Sequence, residues 1–129
     1  MSHPKLLISA PFFTPDELAR VEAVAPSVLA GTPEERAALP EDLRAGITAM
    51  ANKGHKPIDG AQMDLFPNLE VIAQFGVGYD AIDVAAATER GIRVTNTPDV
   101  LNEDVADLAL AMMLGWCREI IKGDAWVRD

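Results

Sequence analysis

A glycine-rich loop is the part of this sequence whose residue types and spacing most clearly suggest chemistry. The stretch Gly76–Ala81 reads Gly-Val-Gly-Tyr-Asp-Ala and matches the pattern G-x-G-x-x-A. It follows a predicted strand and precedes a predicted helix, which is the setting of the dinucleotide-binding fingerprint. However, Asp80 and Asp83 stand at the helix start, where their carboxylates would repel a pyrophosphate. Three interpretations stay open: a dinucleotide site, a site for a smaller anion held by the backbone N–H groups of Val77 and Gly78, and a tight turn without a ligand.

A second loop whose residues could take part in binding or catalysis follows the strand predicted over residues 46–51. It contains Lys53, which could pair with an acidic substrate, although a solvated surface lysine is the ordinary alternative. His55 in the same loop is expected to be a surface residue and not a catalyst. Cys117 is the single cysteine and the chain has only two histidines, so neither a disulfide framework nor a metal site is predicted.

The elements that position these loops follow from alternating apolar runs and helical patterns. Strands are predicted over 5–10, 27–30, 46–51, 69–75 and 92–96. Two Thr-Pro-x-Glu stretches, at Thr14 and Thr32, predict helices that begin with a capping box, and the second of these helices runs towards Arg44. Further helices are predicted over 58–66 and 82–90, the latter closed by Gly91.

Strands that alternate with helices predict an α/β fold, an open parallel sheet with helices on both faces. Ligands of such sheets bind beyond the carboxyl ends of the strands. Attention therefore falls on the loops 11–14, 52–57, 76–80 and 96–102.

The last predicted helix differs from the others because it is apolar on more than one side. It begins near Asn102, and apolar residues keep a helical period from Leu101 through Val105 to Trp116. The run 108–117 is apolar all round, which indicates burial against a second partner, either another domain or another subunit. The alternative is a central core helix of the same domain.

Composition excludes several classes of function. The 129 residues carry a formal net charge of −9, which argues against non-specific binding to nucleic acid or anionic membranes. With 49% hydrophobic residues the chain can form a core. No apolar run approaches the length of a membrane span. The N-terminal residues lack the pattern of a secretion signal, and a single cysteine fits a reducing compartment, so a cytoplasmic location is predicted.

Two stretches carry a resemblance to a known family. Residues 68–80, Asn-Leu-Glu-Val-Ile-Ala-Gln-Phe-Gly-Val-Gly-Tyr-Asp, and residues 91–109, which begin Gly-Ile-Arg-Val-Thr-Asn-Thr-Pro-Asp, resemble the D-isomer-specific 2-hydroxyacid dehydrogenases. The second stretch is similar to the glyoxylate/hydroxypyruvate reductase branch. The resemblance implies a flavodoxin-like substrate-binding domain over 1–98. It also implies a long crossover helix within 99–129 that leads to a nucleotide-binding domain absent from this chain.

The resemblance also implies roles for individual residues. Val77 and Gly78 are expected to present backbone N–H groups to the substrate carboxylate, and Asn52, Lys53 and Gly54 to line the substrate pocket. Val105 is expected to make an apolar contact with the nicotinamide. No catalytic residue and no metal ligand is carried over to this chain.

The function implied is the substrate-binding portion of an NAD(P)H-dependent 2-oxo acid reductase. The substrate is expected to be a small 2-oxo acid such as glyoxylate or hydroxypyruvate, and residues 101–126 are expected to form a homodimer contact. The 129 residues alone are expected to be inactive and to bind no cofactor. The alternatives are a non-catalytic regulatory protein of the same fold, or dinucleotide binding directly at Gly76–Ala81.

Overall fold

Five short parallel strands form one sheet in the order β2-β1-β3-β4-β5. The strands are β1 (Leu6–Ile8), β2 (Ser27–Leu29), β3 (Ala49–Asn52), β4 (Val71–Gln74) and β5 (Arg93–Thr95). The structure, a computed structural model, describes residues 5–9 and 13–128. The end of the strand predicted over 5–10, and part of the loop 11–14, lie outside the described residues. The parallel α/β sheet predicted from the sequence is confirmed.

Helices connect the strands and follow the last one. They are α1 (Pro15–Glu22), α2 (Pro33–Ala38), α3 (Glu41–Gly46), α4 (Gly60–Asp64), α5 (Val84–Glu89), α6 (Asn102–Cys117) and α7 (Ile120–Arg128). Both predicted capping boxes form. The Thr14 hydroxyl accepts from the Glu17 N–H at 3.3 Å and the Glu17 carboxylate accepts from the Thr14 N–H at 2.8 Å, and Thr32 and Glu35 repeat this arrangement.

The strand order creates a reversal point between β1 and β3. The connection from β1 to β2 runs towards one edge of the sheet, and the later connections run towards the other edge. Because such crossovers are right-handed, α1 lies on one face of the sheet and α2 to α5 lie on the other. In sheets of this order the ligand-binding crevice lies at the carboxyl ends of the strands, near the reversal point.

The core lies between the sheet and the helices that follow β2. Leu7, Met50 and Ile72 pair side by side across three neighbouring strands and are fully buried. They belong to a cluster completed by residues of the surrounding helices and loops, namely Ala30, Ile47, Ile58, Met63, Phe66, Leu69, Ile82, Ala87 and Ile92. This packing fixes the strands from which the candidate site loops emerge.

The helix predicted from Thr32 towards Arg44 is in fact two helices, α2 and α3. Pro40 causes the break, because it has no N–H to donate and disfavours a helical conformation at the preceding Leu39, which is extended with ψ 140°. Since α3 continues through Gly46, β3 begins at Ala49 and not at the predicted residue 46.

The chain divides into two units, Met1–Pro98 and Asp99–Asp129. The second unit has two helices where one was predicted, because Arg118 ends α6 and Glu119 adopts a left-handed φ of 49°. Its apolar side chains are exposed, with Leu108 62% and Trp116 86% accessible. In the part of the chain that the structure describes, no helix is long and apolar enough to cross a membrane.

Candidate functional site

The loop after β4 is held by its carbonyl oxygens. Three successive carbonyls accept hydrogen bonds: Gly76 from the Thr97 N–H at 3.0 Å, Val77 from Asn96 Nδ2 at 2.8 Å, and Gly78 from Gln74 Nε2 at 3.1 Å. The loop is therefore fixed from its acceptor side by β5 and by the last residue of β4.

Most N–H groups of the same loop have no partner among the described residues. Within residues 5–9 and 13–128, the backbone N–H groups from Val77 to Ala81 donate to no protein acceptor. Tyr79 and Asp80 are exposed, so their N–H groups can bond water, whereas Val77 and Gly78 are half-buried. Successive loop amides without a protein acceptor are a known way to hold an anion. The pair predicted from the sequence is thus available to a ligand.

Gln74 joins the two loops in which site residues were predicted. Its Nε2 donates both to the Gly78 carbonyl and, at 3.4 Å, to the Gly54 carbonyl. Its Oε1 accepts from Asn52 Nδ2 at 2.6 Å. Because a single side-chain amide contacts all three residues, the loops after β3 and β4 lie together. The sequence reasoning missed Gln74, although a polar residue at the end of an apolar strand could have indicated it.

Asn52 is part of a buried polar chain beneath the site. The side chain is 1% exposed, and its Oδ1 accepts from the Ser9 hydroxyl at 2.6 Å. Its two polar atoms are therefore both paired, with Ser9 at the end of β1 and Gln74 at the end of β4. In this position Asn52 can influence a ligand through Gln74 and the Gly78 carbonyl.

A buried guanidinium completes this chain on the β2 side. Arg36 is inaccessible to solvent, and its three hydrogen bonds run to the Ala30 carbonyl, to the Ser9 carbonyl and to Gln62 Oε1 at 3.2, 3.1 and 3.0 Å. Burial lowers the pKa of Arg36, while Glu34 and Glu35 act in the opposite direction. Arg36 thus ties together the carboxyl ends of β1 and β2. It was also missed, because an arginine on a charged helix is ordinarily a surface residue.

Lys53 is paired and lies beside aromatic rings. Its ammonium is 2.7 Å from Glu17 Oε2 and lies 5.0 Å from the ring centroid of Phe75 and 5.6 Å from that of Phe13. The two rings stack with their centroids 6.2 Å apart. The hydrogen bond from Lys53 lowers the pKa of Glu17. The lysine predicted to contact substrate therefore already has an acidic partner from α1.

An open groove of about 420 Å³ adjoins these residues. Its lining includes α1, the aromatic pair and the ends of β4 and β5, through Phe13, Glu17, Gln74, Phe75, Asn96 and Thr97 among others. Neither Val77 nor Gly78 lines it. Of the remaining predicted positions, His55 is exposed, and Val105 lies on α6 in the second unit with 61% of its surface accessible.

The start of α5 is capped by its own acidic residue. The helix begins at Val84, beyond the glycine pattern, and the Asp83 carboxylate already accepts from the Ala86 N–H at 2.8 Å. Gly76-Val77-Gly78 is also the only G-x-G in the sequence. Among residues 13–128 no cluster of three or more His, Cys, Asp or Glu is placed to hold a metal ion.

Comparison with known proteins identifies the family. The family model described as D-isomer specific 2-hydroxyacid dehydrogenase, catalytic domain, matches residues 7–121. The chain belongs to this family. A glyoxylate/hydroxypyruvate reductase A from Arabidopsis thaliana is 43% identical over 98 residues, which are 76% of this chain and 31% of that protein. A glyoxylate reductase from Pyrococcus horikoshii is 45% identical over 64% of this chain and 25% of its own length.

Solved structures of 2-hydroxyacid dehydrogenases share the fold. A 2-hydroxyacid dehydrogenase from Ketogulonicigenium vulgare has a TM-score of 0.80 and 40% identity, covering 99% of this chain and 40% of its own. An NADPH-dependent glyoxylate/hydroxypyruvate reductase from Sinorhizobium meliloti, solved with NADP and malonate, has a TM-score of 0.74 and 35% identity over 99% of this chain and 40% of its own. The chain thus spans less than half the length of the 2-hydroxyacid dehydrogenases that it matches.

Proposed function

We propose that this chain is the substrate-binding portion of a 2-oxo acid reductase that uses NADH or NADPH. The observation that carries the proposal is the N–H pair of the half-buried residues Val77 and Gly78, which has no acceptor among the described residues, on a loop whose carbonyls are fixed. Two convergent amides can hold one carboxylate without a charged side chain. A 2-oxo acid offers a single carboxylate next to the carbonyl that is reduced.

The chain's own residues bind the substrate and orient it. Val77 and Gly78 hold the carboxylate, Gln74 fixes the Gly78 carbonyl, and Lys53 with Gly54 forms the neighbouring wall. Asn52 supports this arrangement from beneath. When bound, the nicotinamide supplies the hydride, and Val105 is the residue that we assign to an apolar contact with it. No proton transfer is assigned to a residue of this chain.

The relatives support a small substrate and a nicotinamide cofactor. Several are glyoxylate reductases, and one of the solved relatives is named as NADPH-dependent and contains NADP. The carboxylates of Asp80 and Asp83 make the helix start unsuitable for a pyrophosphate, so the nucleotide is assigned to a part of the protein other than Gly76–Ala81. The 129 residues alone are therefore proposed to be inactive.

Residues 101–126 are proposed to form a homodimer contact. The large apolar side chains of α6 and α7 are exposed, including Met112, Trp116 and Trp126 at 67%, 86% and 83%. Exposed apolar surface on this scale favours association. Sedimentation velocity of the 129-residue chain should show dimers or larger species, and a monomer at high concentration would contradict this assignment.

Equilibrium dialysis tests the proposed function. Glyoxylate should bind the 129-residue chain, and NADH should not. Replacement of Gly78 by Pro, which removes the N–H, should weaken glyoxylate binding strongly, whereas Gly115→Ala in α6 should leave it unchanged. Saturable binding of NADH together with absence of glyoxylate binding would favour the dinucleotide interpretation instead.

A further inference from the structure

We propose that Glu17 determines the substrate class of this site by neutralising Lys53. With Lys53 paired, the site takes 2-oxo acids whose side chain is uncharged, and it discriminates against 2-oxo acids that carry a second carboxylate. The inference rests on the proposed function, because it assumes that a 2-oxo acid is held at Val77 and Gly78.

The contact between the two side chains is short and belongs to a defined arrangement. Lys53 Nζ and Glu17 Oε2 are 2.7 Å apart, and their side chains are only 25% and 27% exposed. The same carboxylate oxygen accepts from the Thr14 N–H at 2.8 Å, so the first turn of α1 holds it in place. The ion pair is therefore anchored on both sides, by the helix start and by the loop after β3.

The ion pair lies close to the proposed carboxylate site. Lys53 directly precedes Gly54, whose carbonyl shares the Gln74 amide nitrogen with the Gly78 carbonyl. The ammonium also lies 5.0 Å from the ring centroid of Phe75, which directly precedes the glycine loop. A ligand anchored at Gly78 therefore lies next to the loop that carries Lys53.

Electrostatics gives the direction of the effect. An unpaired lysine here would attract a second carboxylate, but the charge of Glu17 offsets this attraction. A ligand with an uncharged side chain is almost unaffected by either charge. The rings of Phe13 and Phe75 beside the ammonium further favour an apolar side chain over a charged one.

Glu17→Gln separates the charge of this residue from its structural role. Glutamine at this position still accepts from the Thr14 N–H, as in other capping boxes, so α1 should keep its start. Glu35→Gln is the matched control, because Glu35 occupies the same position in the capping box of α2, whereas the salt bridge to Lys53 is made by Glu17. Lys53→Gln in the Glu17→Gln background removes the freed charge.

The test is an NMR titration of the isotope-labelled 129-residue chain with 2-oxopentanoate and with 2-oxoglutarate. These two acids have the same carbon chain and differ by the terminal carboxylate. The wild type should bind 2-oxopentanoate more tightly. Glu17→Gln should shift the ratio of the two dissociation constants roughly fivefold towards 2-oxoglutarate, the size expected for a partly exposed charge pair. Glu35→Gln should leave the ratio unchanged, and the added Lys53→Gln should abolish the shift.

Two other outcomes would overturn the inference in distinguishable ways. If both acids shift the Val77 and Gly78 amides but Glu17→Gln leaves their ratio unchanged, the role of Glu17 is wrong and the proposed function stands. If neither acid shifts these amides in any variant, the proposed function fails and the inference fails with it.

Discussion

Replacing Arg36 with methionine should destabilise the first unit. The loss of stability should be far larger than for the same replacement of an exposed arginine that makes equally many hydrogen bonds. Arg36 is fully buried and donates to the Ala30 and Ser9 carbonyls and to Gln62. Methionine fills a similar volume but leaves these acceptors without a donor. Arg90 is the matched control, because it also makes three hydrogen bonds, to both oxygens of Asp64 and to the Ala86 carbonyl, on an exposed surface.

The size of the loss follows from burial. Each buried acceptor left unsatisfied costs about 1–3 kcal/mol, and two of the three partners of Arg36 are buried carbonyls. Relief from burying a guanidinium, together with the apolar methionine side chain, offsets part of this cost. We expect a net loss of about 3 kcal/mol, a large part of the roughly 5–15 kcal/mol by which a domain is stable.

Urea unfolding followed by circular dichroism measures this loss. With a slope of about 1–1.5 kcal/mol/M, the unfolding midpoint of Arg36→Met should fall by roughly 2–3 M. Arg90→Met should change the midpoint much less, because water replaces the lost partners of an exposed group. Equal shifts for the two variants, or a loss below about 1 kcal/mol for Arg36→Met, would show that buried polar partners do not hold the carboxyl ends of β1 and β2 together.

Three further predictions concern single residues. Gly91→Ala should lower the free energy of unfolding by about 1 kcal/mol in the same urea assay. Gly91 has φ +69° and open space around it, so the methyl group meets no steric clash and only backbone strain destabilises the variant. The hydrogen bond from Lys53 lowers the pKa of Glu17 from 4.5, so the pair stabilises the fold above pH 4.5 and loses this effect as the pH falls through the lowered value. The difference in urea midpoint between wild type and Glu17→Gln should therefore vanish in acid, and a difference that persists there would contradict the assignment. Asp80→Asn should tighten glyoxylate binding in equilibrium dialysis, because it removes a carboxylate that repels the anion. Asp80 Oδ2 lies only 3.5 Å from the position that a Cβ on Gly78 would occupy. Unchanged or weaker binding would count against an anion at this loop.

Local sequence rules predicted the elements that depend on neighbours in the chain. The Thr14 and Thr32 capping boxes form, and Gly91 closes α5 with the paired hydrogen bonds of a Schellman turn, from the Gly91 N–H to Thr88 and from the Ile92 N–H to Ala87. Each of these features is encoded within six residues. Apolar runs likewise identified all five strands of the parallel sheet.

Features that depend on distant partners were not predictable in the same way. Gln74 and Arg36 are polar residues whose burial depends on partners 20 or more positions away, such as Asn52 for Gln74 and Gln62 for Arg36. The partner of Lys53 is Glu17, 36 positions away, and no local sequence pattern indicates this pairing. The sequence thus predicted which loops carry the candidate site, whereas the contacts that shape this site depend on the folded sheet.

The break between α6 and α7 comes from the backbone conformation of one residue and not from a distant partner. Glu119 adopts a left-handed conformation that is unusual for a residue other than glycine, and nothing in the helical apolar pattern of this segment marks it. The apolar pattern ended at Trp116, and the single long helix within 99–129 was implied by the family resemblance.

An NMR titration of the 129-residue chain with pyruvate and with its uncharged methyl ester tests most directly whether the loop 76–80 holds a carboxylate. If Val77 and Gly78 hold a carboxylate, pyruvate should shift their two amide proton resonances in a saturable manner. Methyl pyruvate, which keeps the carbonyl and lacks the charge, should shift them little. Equal shifts with both compounds, or pyruvate-dependent shifts confined to residues far from the loop 76–80, would contradict the claim that this loop is the carboxylate site.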